Sequence, residues 1–380
     1  MTDLLYSEIE EELRSSVRAL LADRSPHQAV LARCETAEPY DRKLWRTLAR
    51  DLGAASLAVP EETGGAGASV REVAVVLEEL GRAAAPTPYL GSSVLAGTAL
   101  LALSGDEGAD ELLAALASGE RTATLAVPLS TAPGTPRGAG FPAAVRADSA
   151  GTLTGTVTSV ADVGTADVLL VPAEGRDGPG LYAVEISAAA LTVAPRTSLD
   201  LTRPLFDIAL TGTAARRLAG PDRAPAALER AVLTGAGLLA SEQLGLAEWC
   251  LESTVAYLRE RRQFGRTLGS FQALKHRLAD LWLDVVGARA AARYAAGTLA
   301  DGDPDAPVAV AVAASHCGDL AVRAAEECVQ LHGGIGMTWE HPAHLYLKRA
   351  KADQIALGTP DRHRTALAGL VDLPEPAPTA

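Results

Sequence analysis

"ERRQFGRTLGSFQALKHRLADL", residues 260–281, sets two arginines, a Phe-Gly pair and the turn-rich run "GRTLGSFQ" between two helical patterns. A break between helices leaves backbone groups without intrahelical partners. A phenylalanine beside Gly265 is also an unusual choice for a simple solvated loop. Either Phe264 plugs a core, or the turn presents Arg261, Phe264 and Gln272 to something it holds.

Outward from this turn, apolar residues recur at three and four spacing. The run before it, "ALERAVLTGAGLLASEQLGLAEWCLESTVAYLRERR", is broken only by glycines a helix tolerates, and "FQALKHRLADLWLDVVGARAAARYAAGTLA" and "PVAVAVAASHCGDLAVRAAEECVQLHGG" follow it. The period changes between about Arg121 and Gly220, where "TATLAV", "TLTGTVTSV", "ADVLLVPA", "LYAVEI" and "LFDIALTG" are strand-like runs separated by Gly, Pro and Asp. Upstream, "LWRTLARDLGAASLAV" and "SVREVAVVLEELGRAAA" are helical again. The expected organisation is an N-terminal helical domain (1–120), a middle β-domain (121–220) and a C-terminal four-helix-bundle domain (221–380), with a frayed "PEPAPTA" tail. This segregated order is α+β, not the alternating order of a doubly wound sheet. The Gly clusters "GGAG" and "HGGIG" therefore lack the strand and helix context of a dinucleotide fingerprint.

The chain has 380 residues, 48% of them hydrophobic, enough for a sizeable core. No charged-then-apolar leader and no uninterrupted apolar run of membrane-spanning length is present, so a cytoplasmic location is expected. Four cysteines (Cys34, Cys250, Cys317 and Cys328) without C-x-x-C spacing fit a reducing compartment and argue against a disulfide frame or structural zinc. A net charge of -13 disfavours nucleic acid and anionic membrane surfaces as partners. Any anionic ligand has to be held by local arginines.

"RRQFGRTLGSFQALKHRLADL" and "CVQLHGGIGMTWEHPAHLYLKRAKADQIALGT" resemble the two C-terminal signatures of the acyl-CoA dehydrogenase family of flavoproteins. "LWRTLARDLGAASLAVPEETGGAG" followed by "VVLEELGR" is similar to that family's opening domain. The likeness covers nearly the whole chain and implies an acyl-CoA dehydrogenase-like fold. It further implies FAD, with Arg261, Phe264 and Gln272 meeting the pyrophosphate and adenine end of a flavin bound mainly by a neighbouring subunit. Arginine grips phosphate oxygens in pairs, and an aromatic ring packs on adenine. Gln330, Gly333 and Gly334 carry over from the second signature, where missing side chains let backbone N–H groups approach a diphosphate. Gly358 and Thr359 follow the same site.

The resemblance implies that a glutamate removes the α-proton of an acyl thioester while the β-hydride leaves for the flavin. That chemistry asks for a carboxylate in a dry pocket. "QIALGT" is in register with the family's usual base run, and Leu357 stands at the base position; the second known base position falls on Gly235. Glu242 lies seven residues on, two helical turns or about 10 Å along the axis, among leucines. It is the leading candidate base, set against a buried structural Glu paired to an arginine. Glu340 in "MTWEHP" is the runner-up, and His341 and His344 are expected to be loop and packing residues with no metal.

The β-domain departs further from the family. Its T-E-P-x-x-G-S-D loop is replaced around Val127–Gly138, and the W-I-T run over the flavin ring is in register with Ser159, Val160 and Ala161. An intact adenine side beside a depleted flavin side resembles the paired-subunit branch of the family, whose members often act on bulky CoA esters such as steroid side chains. Two functions are therefore expected. One is an FAD-dependent acyl-CoA dehydrogenase passing electrons to an electron-transfer flavoprotein. The other is a weakly catalytic or non-catalytic subunit completing a related chain's FAD site in a heterotetramer. A homo-oligomer is the alternative assembly.

Overall fold

Ser7 and Ser69 each open a helix with a reciprocal cap: the serine side chain accepts a backbone N–H inside the helix, and the glutamate at the third position returns a bond to the serine's own N–H. The computed structural model describes residues 4–36, 38–134, 141 and 144–373. The "PEPAPTA" tail and the end of the Val127–Gly138 loop lie outside the described residues. The N-terminal helices are α1 (Glu8–Arg24), α2 (His27–Cys34), α3 (Arg42–Arg46), α4 (Val70–Arg82), α5 (Gly97–Leu101) and α6 (Glu107–Ala117), with a π-helical segment Leu90–Ala96 leading into α5. Ion pairs dock α1 on α4: Arg14 reaches Glu78 at 2.7 Å and Glu79 at 3.0 Å, and Arg18 reaches Glu79 at 2.6 Å.

The β-branched runs form β1 (Ala123–Leu125), β2 (Val145–Ala147), β3 (Thr152–Ala161), β4 (Val168–Gly175), β5 (Gly178–Glu185), β6 (Leu191–Pro195), β7 (Leu205–Ala214) and β8 (Arg216–Ala219). They make one mixed sheet in the order β6-β7-β3-β2-β4-β5-β8, with β1 parallel to β4. Alternate residues such as Val157, Leu169, Val171 and Ile208 build a small core of its own. The β3–β7 register shifts between Val157 and Val160, and Ser159 sits there at φ +59°. A bulge of this kind re-aims side chains at the end of a strand.

The C-terminal region consists of α7 (Ala224–Glu260), a short hairpin β9 (Arg262–Gln263) and β10 (Arg266–Thr267), then α8 (Gln272–Asp301), α9 (Ala306–His332), α10 (Ala343–Asp353) and α11 (Pro360–Leu370). α7 is the central helix, packed by α4, α8 and α9. Its approach to α4 depends on two glycines. A Cβ on Gly81 would overlap the Glu242 carbonyl, and one on Gly245 would overlap the Glu78 carbonyl. One helical run, Ala306–Met337, is long and apolar enough to cross a membrane by composition, but 72% of its most apolar stretch is buried in the fold, as in a core helix.

Candidate functional site

The hairpin between α7 and α8 decides between the two readings of its phenylalanine. Phe264 is 88% exposed, so it plugs no core. Its backbone is held at φ +52°, a region a bulky residue rarely visits, and its ring meets Phe271 edge to face at 6.3 Å. Arg266 in turn lies over the Phe271 ring at 3.8 Å. Strain spent on presenting an exposed aromatic is a mark of function. Arg261 and Arg262 beside it make no ion pair among the described residues, in a chain with 47 acidic side chains available. Gln272 opens α8 and is exposed.

α9 ends beside this hairpin, because His332 stacks on Tyr257 of the last α7 turns at 4.5 Å. That contact brings exposed Gln330, Gly333 and Gly334 to the same end of the bundle as Arg261 and Phe264. Gly333 needs its freedom at φ +65°, while a Cβ on Gly333 or Gly334 would meet nothing within 4 Å. The turn is open to an approaching ligand from outside. Unpaired guanidinium donors, an exposed ring and uncovered backbone are a donor set that fits an adenine dinucleotide's anionic end.

Gly358 and Thr359 do not join that group. Pro360, next in sequence, packs at Gly318, fourteen residues or about 21 Å back along α9 from His332. Gly358 is buried at φ +105°, where a Cβ would press on Ala132 and His363, and the Thr359 hydroxyl caps α11 by accepting from Arg362 N. Both have structural work at that place. They adjoin a different cavity, of about 450 Å³, lined by Leu129, Ser130, Ser159, Arg203, Ile355 and Ala356. Main-chain bonds tie its three walls together: Leu129 N donates to Ser159 O at 3.0 Å, and Leu357 N donates to Leu129 O at 2.7 Å. This is where the drifted loop after β1, the β3 bulge and the "QIALGT" run converge.

The two family base positions also converge. A Cβ on Gly235 would overlap Leu95 Cδ2 and stand 3.0 Å from Leu357 Cδ1. Leu95 and Leu357 are buried, so the place where a carboxylate would act is filled by two packed leucines. Between the π-helical segment, α5, α6, α7 and the α8–α9 turn lies another cavity, of about 490 Å³, that shares no lining residue with the first.

Glu242 does not take the vacant role. It is 0% exposed and accepts from Arg203 Nη2 at 2.7 and 2.9 Å and from Arg349 Nε at 2.7 Å. Burial alone would raise its carboxyl, but the two guanidinium groups outweigh it and hold the pKa at about 2, far too acidic to draw an α-proton. Arg349 also bonds Asp200 at 3.0 Å and Arg203 bonds Asp353 at 2.7 Å. Two cations face three carboxylates. Burial, then Glu242, push the Asp353 carboxyl well up, and its Oδ2 makes no hydrogen bond but lies 3.7 Å from Arg349 Nε. Glu340 is exposed in the turn before α10, not in a dry pocket. His341 packs against His332 at 4.1 Å and His344 against Trp339 at 4.6 Å. Sequence reasoning missed Leu95 and the partners of Glu242; its one usable signal was a glutamate among leucines, which demands a cation from somewhere.

Residues 226–370 match the family profile described as "Acyl-CoA dehydrogenase, C-terminal domain", and residues 7–120 match "Acyl-CoA dehydrogenase, N-terminal domain". The chain is 36% identical over 354 residues to the acyl-CoA dehydrogenase IpdE2 of Mycolicibacterium smegmatis, covering 93% of this chain and 96% of that one. Among solved structures it is similar to the ChsE4-ChsE5 complex from Mycobacterium tuberculosis, at TM-score 0.85 and 32% identity over 99% of this chain and 100% of that one. It is also similar to the Tcur3481-Tcur3483 steroid ACAD, at TM-score 0.83 and 32% identity over 96% of this chain and 98% of that one.

Proposed function

The chain belongs to the acyl-CoA dehydrogenase family, a family of FAD-dependent oxidoreductases, and from that premise we propose that it is one subunit of a paired dehydrogenase that introduces an α,β double bond into an acyl-CoA thioester. The observation that carries this reading is the leucine-filled base position: Leu95 and Leu357 close over Gly235, where this chain's own carboxylate would have to stand. The chain's contribution is then binding. Arg261 grips phosphate oxygens, Phe264 stacks on the adenine, Gln272 and Gln330 flank them, and the backbone N–H groups of Gly333 and Gly334 face the diphosphate of a flavin held mainly by a related subunit. When bound, FAD supplies the hydride acceptor. The base for the α-proton comes from the partner subunit, and electrons pass on to an electron-transfer flavoprotein. The steroid ACAD among the similar structures suggests a bulky acyl group. Four free cysteines suit the reducing cytoplasm.

Co-expression with a related family chain tests this. FAD should bind fully only in the co-purified complex, and Arg261→Ala should lower occupancy at least tenfold by removing a charge-assisted phosphate contact, as read from flavin absorbance. An isolated chain that carries full FAD and is reduced by an acyl-CoA would sink the paired reading in favour of a self-sufficient dehydrogenase.

A further inference from the structure

We infer that Cys250 and Cys328 are a reactive thiol pair, which hydrogen peroxide converts to a disulfide joining α7 to α9. The two helices pack along each other, and both cysteines are fully buried. The Cys250 thiol donates a hydrogen bond to the Cys328 sulfur. Two sulfurs in that contact need only a small side-chain adjustment to reach the bond length of a disulfide, about 2.05 Å. One turn further along α9, the His332 Nδ1–H donates to the Cys328 carbonyl at 2.7 Å and stands 3.6 Å from the Cys328 sulfur. Tyr257, at 4.5 Å, and His341, at 4.1 Å, hold the imidazole ring in that position.

These neighbours set Cys328 apart from the other thiols. Hydrogen bonds from Cys250 and His332 outweigh burial and draw its thiol below the ordinary range, whereas burial pushes Cys250 up and keeps it protonated. Cys317 faces the Ala288 carbonyl, and burial pushes it up to about 12. Cys34, the most exposed of the four, is pushed up to about 11 by burial and then by Asp200. Reactivity therefore runs against exposure. The path inward is short: Cys328 lies one helical turn, about 6 Å, below His332 at the end of α9. The Gly333–Gly334 turn that follows is open, and the oxidant is little larger than water. The Cys328 thiolate attacks one peroxide oxygen; the O–O bond breaks, hydroxide leaves and takes up the proton Cys328 has shed, and Cys328 becomes a sulfenic acid. The Cys250 sulfur then attacks the Cys328 sulfur, the S–S bond forms, and the hydroxyl leaves with the Cys250 proton as a second water. The two thiols lose two electrons and the peroxide gains them. Disulfides in reducing compartments are transient and redox-sensing, which agrees with free thiols at rest. The reaction needs no bound flavin and stands independently of the paired reading.

Hydrogen peroxide treatment of the purified full chain, followed by thiol blocking and non-reducing peptide mass mapping, tests it. A linkage between Cys250 and Cys328 should form first and be reversed by dithiothreitol, with Cys34 and Cys317 still free. Cys250→Ser should instead leave a Cys328 sulfenic acid that dimedone traps. His332→Phe keeps a ring against Tyr257 but loses the Nδ1 donor, and should slow the linkage about tenfold. If that variant melts below the wild type, the wild-type linkage and the dimedone adduct decide alone. Oxidation of Cys34 ahead of the pair, no linkage in the wild type, no adduct in Cys250→Ser, or an unslowed His332→Phe of wild-type melting temperature would each overturn the inference.

Discussion

Glu242 shows how the same residue type can serve proton chemistry or architecture, with its neighbours deciding which. A carboxylate tuned for proton abstraction needs a raised pKa; one clasped by Arg203 and Arg349 has the reverse, at about 2. Replacing it by glutamine leaves two buried guanidinium groups short of charge, and removing one partner of a buried pair typically costs about 3 kcal/mol or more. Glu242→Gln should therefore lower unfolding stability by about 3 kcal/mol in a urea melt, whereas a base would have lost rate and kept stability. The same cluster sets an acid limb. Because the folded pKa lies below the ordinary value of 4.5, the stability Glu242 contributes is complete above about pH 4.5 and is lost as pH falls toward about 2. Glu10, where burial is outweighed by Arg71 and Arg293, is held at about 2 and acts in the same window. Melts between pH 5 and pH 3 should show a steep loss in the wild type and a shallower one in Glu242→Gln.

At the scale of elements, the hairpin and the helix crossing make opposite predictions. Phe264 is exposed and touches little besides Phe271, so Phe264→Ala should change stability by no more than about 0.5 kcal/mol while lowering flavin content in the complex. Gly245 sits where α7 meets the backbone of α4, so Gly245→Ala should force the helices apart and destabilise by about 3 kcal/mol, with fast hydrogen exchange spreading through α4. A near-neutral Gly245→Ala would mean that the crossing is looser than described. Both positions are glycine-linked turns or runs of similar composition in the sequence, and only the packing separates them.

For the whole molecule, α8 leaves Trp282, Leu283 and Val286 at 58%, 64% and 37% exposed along one stretch, an apolar stripe too large to be left to water. A four-subunit assembly, a dimer of dimers, would cover such helices and complete the hairpin site across a boundary. Sedimentation of the complex should give a tetramer, and Trp282→Glu with Leu283→Glu should split it. A monomer that retains FAD would contradict this.

Local chemistry was legible in the sequence. The three-and-four periodicity and the β-branched runs set the helix, strand, helix order, and the R-x-x-F-G turn marked the exposed hairpin, because each of these depends on residues a few positions apart. The vacancy at Leu357 and at Gly235 could also be read. That these two vacancies are one place, stoppered by Leu95, was decided by tertiary structure, since the three residues come from segments 122 and 140 positions apart that meet only when α7, the π-helical segment and the chain before α11 pack. Glu242 follows the same rule. Its partners lie 39 and 107 residues away, and a charge buried among leucines announces only that cations will be found, not where they come from or that they will come in sufficient number to make it an anchor.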